Sequence, residues 1–176
     1  MTQRYAPVPI ALHWLMAAGL LAQLALGFYM VGLPDEPRGV QVGWFNLHKS
    51  IGILLGMAVL LRLVARWRWP APAPAALLPR WQQQAAGVTH ALLYLCMVAL
   101  PLSGLLGSGF TKYPVKFFGI ALPRWTDPWP AAKELCSQVH QAAVWLLLAA
   151  LLLHVAGAAW HLLRGDGIAR RMGLPR

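Results

Sequence analysis

The stretch from Val139 to Arg164, VHQAAVWLLLAALLLHVAGAAWHLLR, carries no charge before its last residue and holds three of the chain's six histidines, His140, His154 and His161. A residue turns about 100° around an α-helix and rises about 1.5 Å. The step from His140 to His154 therefore amounts to about 1400°, some 40° short of four whole turns, and to about 21 Å of depth. That depth is a large part of the roughly 30 Å hydrocarbon layer of a bilayer. Two nitrogen ligands on one apolar face, one near each side of a membrane, predict two buried cofactors stacked across it. The opposing ligands must come from the rest of the chain.

The solvent of this chain is lipid. Of its 176 residues 59% are hydrophobic and only 11% charged, whereas an ordinary soluble domain is nearer a quarter charged. A soluble fold of this size has no interior large enough for that much apolar side chain. The nine tryptophans suit an interfacial belt. A net charge of +10 is compatible with nucleic acid, but the basic residues flank apolar segments and do not line one polar face, which excludes that partner. There is no CxxCH motif, so covalent c-type haem is excluded, and Cys96 and Cys136 read as unpaired filler thiols. The apolar stretch after Tyr5 is long and has no clear small-residue cleavage site, so it reads as a membrane span and not as a cleaved signal peptide.

Four apolar segments predict an all-α, transmembrane four-helix bundle as one domain over 1–176. The expected helices are about 7–31, 45–67, 84–109 and 131–163. Pro7 or Pro9 suits a first helical turn, and the stretch Leu33 to Gly39 ends the first segment. Asn46 reads as the N-cap of the second, which closes at Pro70. The proline-rich run from Pro70 to Arg80 favours a stiff extended linker. Pro101 is expected to kink the third segment. The fourth is longer than a bilayer requires, so one end should protrude or tilt. The basic tail from Gly165 to Arg176 is expected at the surface.

Positive residues flanking the spans set their orientation. One side collects Arg4, Arg62, Arg66, Arg68, Arg80, Arg164, Arg170, Arg171 and Arg176 against Asp166 alone. The other has Arg38, Lys49, Lys112, Lys116, Arg124 and Lys133 against Asp35, Glu36, Asp127 and Glu134. The first side is expected to be cytoplasmic, with both termini there. Each histidine then has a depth. His48 and His140 are the two in the outer half and can face one cofactor. In the inner half His13 needs a partner among His154, His90 and His161. His161 lies seven residues beyond His154, within about 20° of the same face, so angle does not separate them. Depth favours His154, because a ligated iron should sit a turn or two inside the interface and His161 is nearly at the headgroups. His90 reads as a residue reaching water or a propionate, and His161 as an interface residue beside Trp160 and Arg164.

Intramembrane histidines at matched depths point to function. Structural zinc prefers four ligands, and each pair offers two. Copper is disfavoured because no methionine or cysteine clusters at either level. Haem needs only two axial protein ligands and brings a large apolar macrocycle suited to a bundle core. Two histidines on one iron leave no open position, so electron transfer is the expected role. Gly19, Gly27, Gly52 and Gly104 are expected to let backbone approach a flat ring. Lys49 outside, and Arg62 or Arg66 inside, are candidate propionate partners. No tight polar cluster marks a quinone site or a catalytic residue.

These residues resemble the bacterial cytochrome b561 family. The resemblance is carried by His13-Trp14 in the first segment, His48-Lys49-Ser50-Ile51-Gly52 opening the second, Ala99-Leu100-Pro101-Leu102-Ser103-Gly104 in the third, and His140 with His154 in the fourth. It covers nearly the whole chain. It implies a multi-pass protein of the bacterial inner (plasma) membrane with two non-covalent b-type haems, the outer held by His48 and His140 and the inner by His13 and His154. The same ligand plan resembles the cytochrome b subunits of formate dehydrogenases and nickel hydrogenases, which dock catalytic partners. The short chain and modest loops favour the stand-alone member. That resemblance implies an enzyme, a superoxide oxidase, with ubiquinone as the substrate that accepts electrons. Lys112, Lys116 and Arg124 in the outer loop would steer a small anion such as superoxide. The alternatives are an electron-transfer subunit docked on a partner dehydrogenase or hydrogenase and, from another class, a non-redox transporter or metal-binding scaffold.

Overall fold

The computed structural model describes residues 4–34, 38–72 and 78–174, with no side-chain account of 38 and 39. Four helices carry the fold: α1 (Pro7–Val31), α2 (Arg38–Arg68), α3 (Arg80–Gly109) and α4 (Pro130–Arg164). All four are long and apolar enough to cross a membrane. α1 and α4 each place a proline in the first turn, where a missing N–H costs nothing because that group has no intrahelical acceptor. α3 continues through Pro101.

Two helix starts lie earlier than the sequence reading placed them. α2 begins at Arg38, so Asn46 sits two turns inside it and is not its N-cap. Tertiary contacts hold those extra turns against the end of α1. The Trp44 ring meets Tyr29 edge-on at 5.2 Å, and Gln41 Nε2 donates to the Leu33 carbonyl at 3.3 Å. α3 begins at Arg80 directly after Pro79, whose carbonyl accepts from the Gln82 and Gln83 amides. Of the proline-rich run, residues 73–77 lie outside the described residues, as do Asp35 to Pro37 of the first loop.

The loop from α3 to α4 holds a small antiparallel hairpin, β1 (Lys116–Phe117) with β2 (Ile120–Ala121). Its turn residue Phe118 has φ 46°, a left-handed conformation that costs a side-chain-bearing residue energy. The buried Ser50 hydroxyl compensates by accepting the Phe118 N–H at 2.9 Å while donating to the Asn46 carbonyl at 2.8 Å. This ties the loop to the flank of α2. We call this the hairpin end of the bundle.

The opposite, terminal end is closed by the tail. A 3₁₀ turn (Ala169–Met172) doubles back under α1. Trp14 Nε1 donates to the Met172 carbonyl at 3.0 Å, and the Tyr5 N–H donates to the Arg171 carbonyl at 3.2 Å. The tail starts from Asp166, which accepts from His161 Nδ1 at 2.6 Å and from the Ile168 N–H at 3.1 Å. The tail is thus a strap joining α4 to α1.

Between the two ends lies an apolar layer. Cys96 and Leu100 of α3 pack on Ala143 and Leu147 of α4, with Leu20 and Leu24 of α1 against them. A second cluster of Met16, Val59 and Met97 adjoins it through Leu20. Both cysteines are free thiols. Leu147 stands seven residues from His140 and seven from His154, so the buried layer separates two levels of histidine on one face of α4.

Candidate functional site

The structure gathers five of the six histidines into two groups. At the hairpin end, His48 of α2 and His140 of α4 face each other with ring centroids 6.3 Å apart. At the terminal end, His13 of α1 and His154 of α4 have centroids 6.0 Å apart. A metal–imidazole bond is about 2 Å, and each ring adds about one more to its centre. Two imidazoles in line on one iron therefore have centroids about 6 Å apart, which both pairs satisfy. His90 joins the terminal group at 5.3 Å from His154, closer than that arrangement allows. His161, bonded to Asp166, lies apart at the strap.

The hairpin-end pair is shaped for a ring ligand. His140 Nδ1 lies 3.0 Å from the Leu100 carbonyl and 3.1 Å from Ser103 Oγ. A carbonyl only accepts, so the proton is on Nδ1 and the lone pair on Nε2. The Ser103 hydroxyl already donates to the Ala99 carbonyl at 2.6 Å, leaving it an acceptor toward the same Nδ1–H. This is how ligating histidines are oriented in metal proteins. Two glycines give the rings room. A Cβ on Gly27 would lie 3.3 Å from His48 Cε1, and one on Gly104 3.3 Å from His140 Cε1. The other two glycines singled out do something else: Gly19 faces Leu55 and Gly52 faces Gln23.

The terminal-end pair has charged company. Arg62 of α2 donates from Nη2 to His13 Nδ1 at 3.2 Å and from Nε to the Tyr94 hydroxyl at 3.2 Å. Arg62 and Arg66 both lie over the Tyr94 ring. The Trp14 ring packs edge-on to His13 at 5.0 Å. Arg62 thus meets His13 directly, where the sequence reading made Arg62 and Arg66 candidate propionate partners.

No group of three or more His, Cys, Asp or Glu fit to hold a metal ion occurs among the described residues. Two imidazoles alone make a poor cage for a bare ion, but they are the full protein share of a six-coordinate haem. The donor set fits such a group, and Gly27 and Gly104 let backbone pack directly on the two donor rings of the hairpin end. Of the expected anion patch, Arg124 is committed to the loop, donating to the Thr111 and Lys112 carbonyls. Lys112 lies over the Tyr113 ring at 5.3 Å, and the Lys116 side chain is exposed.

The model of the prokaryotic cytochrome b561 family matches residues 4–174. The chain belongs to that family. It is 30% identical to cytochrome b561 homolog 2 of Escherichia coli (strain K12) over 176 residues, covering 97% of this chain and 91% of that protein. It is 27% identical to cytochrome b561 homolog 1 of the same organism, covering 98% of each. A shorter match, 26% identical over 109 residues, covers 60% of this chain and 58% of the probable superoxide oxidase CybB of Yersinia pestis. Family and four spans make this a multi-pass electron-transfer protein of the bacterial inner membrane, in a family that binds haem b. One residue at the sites was missed in the sequence, Gln23, and one contact, the direct Arg62–His13 bond. Gln23 was legible as an uncharged polar residue deep in an apolar span, which is costly without a partner.

Proposed function

We propose that this chain is a di-haem cytochrome that oxidises superoxide at its hairpin end and reduces ubiquinone in the membrane. The observation that carries the reading is the pair of imidazole–imidazole separations, 6.3 and 6.0 Å, at two levels of one bundle. His48 and His140 would hold one haem, and His13 and His154 the other. The terminal end is the cytoplasmic one, as its surplus of arginine directs. Each haem, when bound, supplies one-electron exchange. Overall, two superoxide anions lose one electron each to give two dioxygen molecules, and one ubiquinone takes two electrons and two protons to give quinol.

The chain's own groups have definite tasks. Leu100 and Ser103 keep the Nδ1 proton on His140, so Nε2 is available for ligation. Gly27 and Gly104 keep side chains clear of the ligand rings. Cys96, Leu100, Ala143 and Leu147 keep water out of the layer between the two levels. At the terminal end Arg62 donates to His13 Nδ1, so His13 would serve as an Nε2 ligand only with that contact released; Arg62, with Arg66, would then be free to pair with a carboxylate. Lys112 and Lys116 give the hairpin end a positive local field for an anionic donor. The superoxide assignment is supported by these cations and by the name of the Yersinia pestis relative.

Purified holoprotein given superoxide and ubiquinone should consume superoxide faster than spontaneous dismutation, with one quinol formed per two superoxide lost. Superoxide decay at the spontaneous rate, with no quinol, contradicts the assignment of donor and acceptor. Co-purification of a dehydrogenase subunit would instead make the chain an electron-transfer subunit.

A further inference from the structure

Among the described residues, three buried side-chain polar atoms have no hydrogen-bond partner: Gln23 Oε1, His48 Nδ1 and Thr126 Oγ1. The first two meet at one place. Gln23 of α1 reaches across to α2 and donates from Nε2 to the His48 backbone carbonyl at 2.7 Å. Because a carbonyl only accepts, the amide nitrogen is fixed on that side and Oε1 is the end left over. Gln23 lies one turn from Gly27 on the same face of α1. A Cβ on Gly27 would lie 3.8 Å from His48 Nδ1, so that nitrogen faces α1. Gly52, one turn along α2 from His48, leaves the space that the carboxamide fills, since a Cβ there would lie 3.4 Å from Gln23 Nε2.

The two ligands of this level are thus unequally served. His140 has the Leu100 carbonyl and Ser103 for its Nδ1–H. His48 has none, yet with Nε2 on iron its ring proton sits on Nδ1 and requires an acceptor. The unused acceptor on the residue already bonded to His48 is Gln23 Oε1. The terminal torsion of a glutamine is soft, so the carboxamide can turn to offer Oε1 to Nδ1.

We infer that Gln23 is the positioning residue of the hairpin-end haem: its carboxamide oxygen accepts the His48 Nδ1–H, fixing the ring's tautomer and strengthening it as a ligand. This rests on the reading of His48 as an iron ligand. An accepted hydrogen bond pushes electron density onto the imidazole and favours oxidised iron, so the strength of the acceptor sets the potential of that haem.

The test is a redox titration of the purified holoprotein followed by visible and low-temperature EPR spectra. Gln23→Leu removes the acceptor and should raise the midpoint of the hairpin-end haem; Gln23→Glu keeps and strengthens it and should lower that midpoint. A tenfold change in the relative affinity for oxidised and reduced haem reads as about 59 mV for one electron. The terminal-end haem, identified by its loss in His154→Ala, should not move. Midpoints and g values of the hairpin-end haem unchanged in both variants overturn the inference. Loss of that haem from both overturns it too, since the glutamate retains the acceptor. His48→Ala separates the two ideas. Both haems retained there overturns the ligand assignment and this inference with it. One haem lost there, with both Gln23 variants unshifted, overturns this inference alone.

Discussion

The two histidine pairs are alike in spacing and opposite in surroundings. At the hairpin end the rings meet backbone: the Leu100 carbonyl holds His140, and Gly27 and Gly104 let helix backbone lie against each ring. At the terminal end they meet charge: Arg62 sits on His13, and His90 crowds His154 at 5.3 Å. On the proposed ligation the first pair is half prepared, with the His140 proton already held on Nδ1. The second must first release Arg62. The difference teaches that equal ligands need not make equal sites. A backbone acceptor presets an imidazole, whereas a guanidinium donor sets a positive field that favours electrons on that side. Electrons entering at the hairpin end would run toward the cations.

The strongest challenge to this comparison is removal of a ring. His140→Ala should lose the hairpin-end haem and keep the other, and His13→Ala the reverse, each read from visible spectra of the purified protein. His90→Ala should keep both. If His90→Ala loses the terminal-end haem and His13→Ala does not, the pairing by distance is wrong.

Filling the glycine clefts comes next. Gly27→Leu or Gly104→Leu places side chain where the ring lies, and overpacking of this kind costs about 1–3 kcal/mol. Haem affinity at the hairpin end should fall by roughly ten- to a hundredfold, measured by haem titration of the apoprotein, with the terminal end unaffected. The same titration of the unmodified apoprotein should fill the preset hairpin-end site first. Simultaneous filling would remove the distinction drawn between preset and unset ligands.

Arg62→Gln should lower the potential of the terminal-end haem by an amount on the order of 50 mV, the scale of one partly screened charge nearby. A redox titration in which the hairpin-end haem moves instead would reverse the electrostatic assignment. Ser103→Ala should be milder, about 1 kcal/mol or less, because the Leu100 carbonyl still holds His140.

The smallest effect concerns the strap. Partial burial alone would raise the Asp166 carboxyl. The His161 hydrogen bond, the Ile168 amide, and the charges of His161 and Arg164 outweigh that and hold it below the usual carboxylate range. A depressed folded value means the contact contributes stability above the unfolded pKa of about 4 and loses it as pH falls through the lower folded value. Protection against hydrogen exchange across 165–174, taken relative to the intrinsic rate at each pH, should fall on acidification below about pH 4, and Asp166→Asn should show the lower protection already at neutral pH.

How much of this was legible in the chain differs by region. Long apolar runs bounded by prolines defined the four spans, and α1 and α4 begin and end within a residue of expectation. Depth placed His48 beside His140 and His13 beside His154, as the structure does, because a 14-residue step along a helix is geometry that sequence alone carries; it did not place His90, which the structure sets against His154. α2 was misread at its start: Asn46 before an apolar run imitates a cap, and the pairing of Trp44 with Tyr29 is invisible to any local rule. The hairpin and the strap were missed for the same reason. Both are short segments held by a few long-range bonds, from Ser50 for the hairpin and from Trp14 and Tyr5 for the strap. The tautomer of His140 is fixed by a carbonyl 40 residues away in sequence, and no side-chain pattern announces a backbone acceptor.

The central claim, two imidazole pairs each holding one haem, is tested most directly by haem content per chain. Pyridine haemochrome analysis of the purified protein, with EPR on the oxidised sample, should give two b-type haems per chain, both low-spin with two nitrogen axial ligands. A single haem per chain, or a high-spin signal from an iron with an open position, would contradict it.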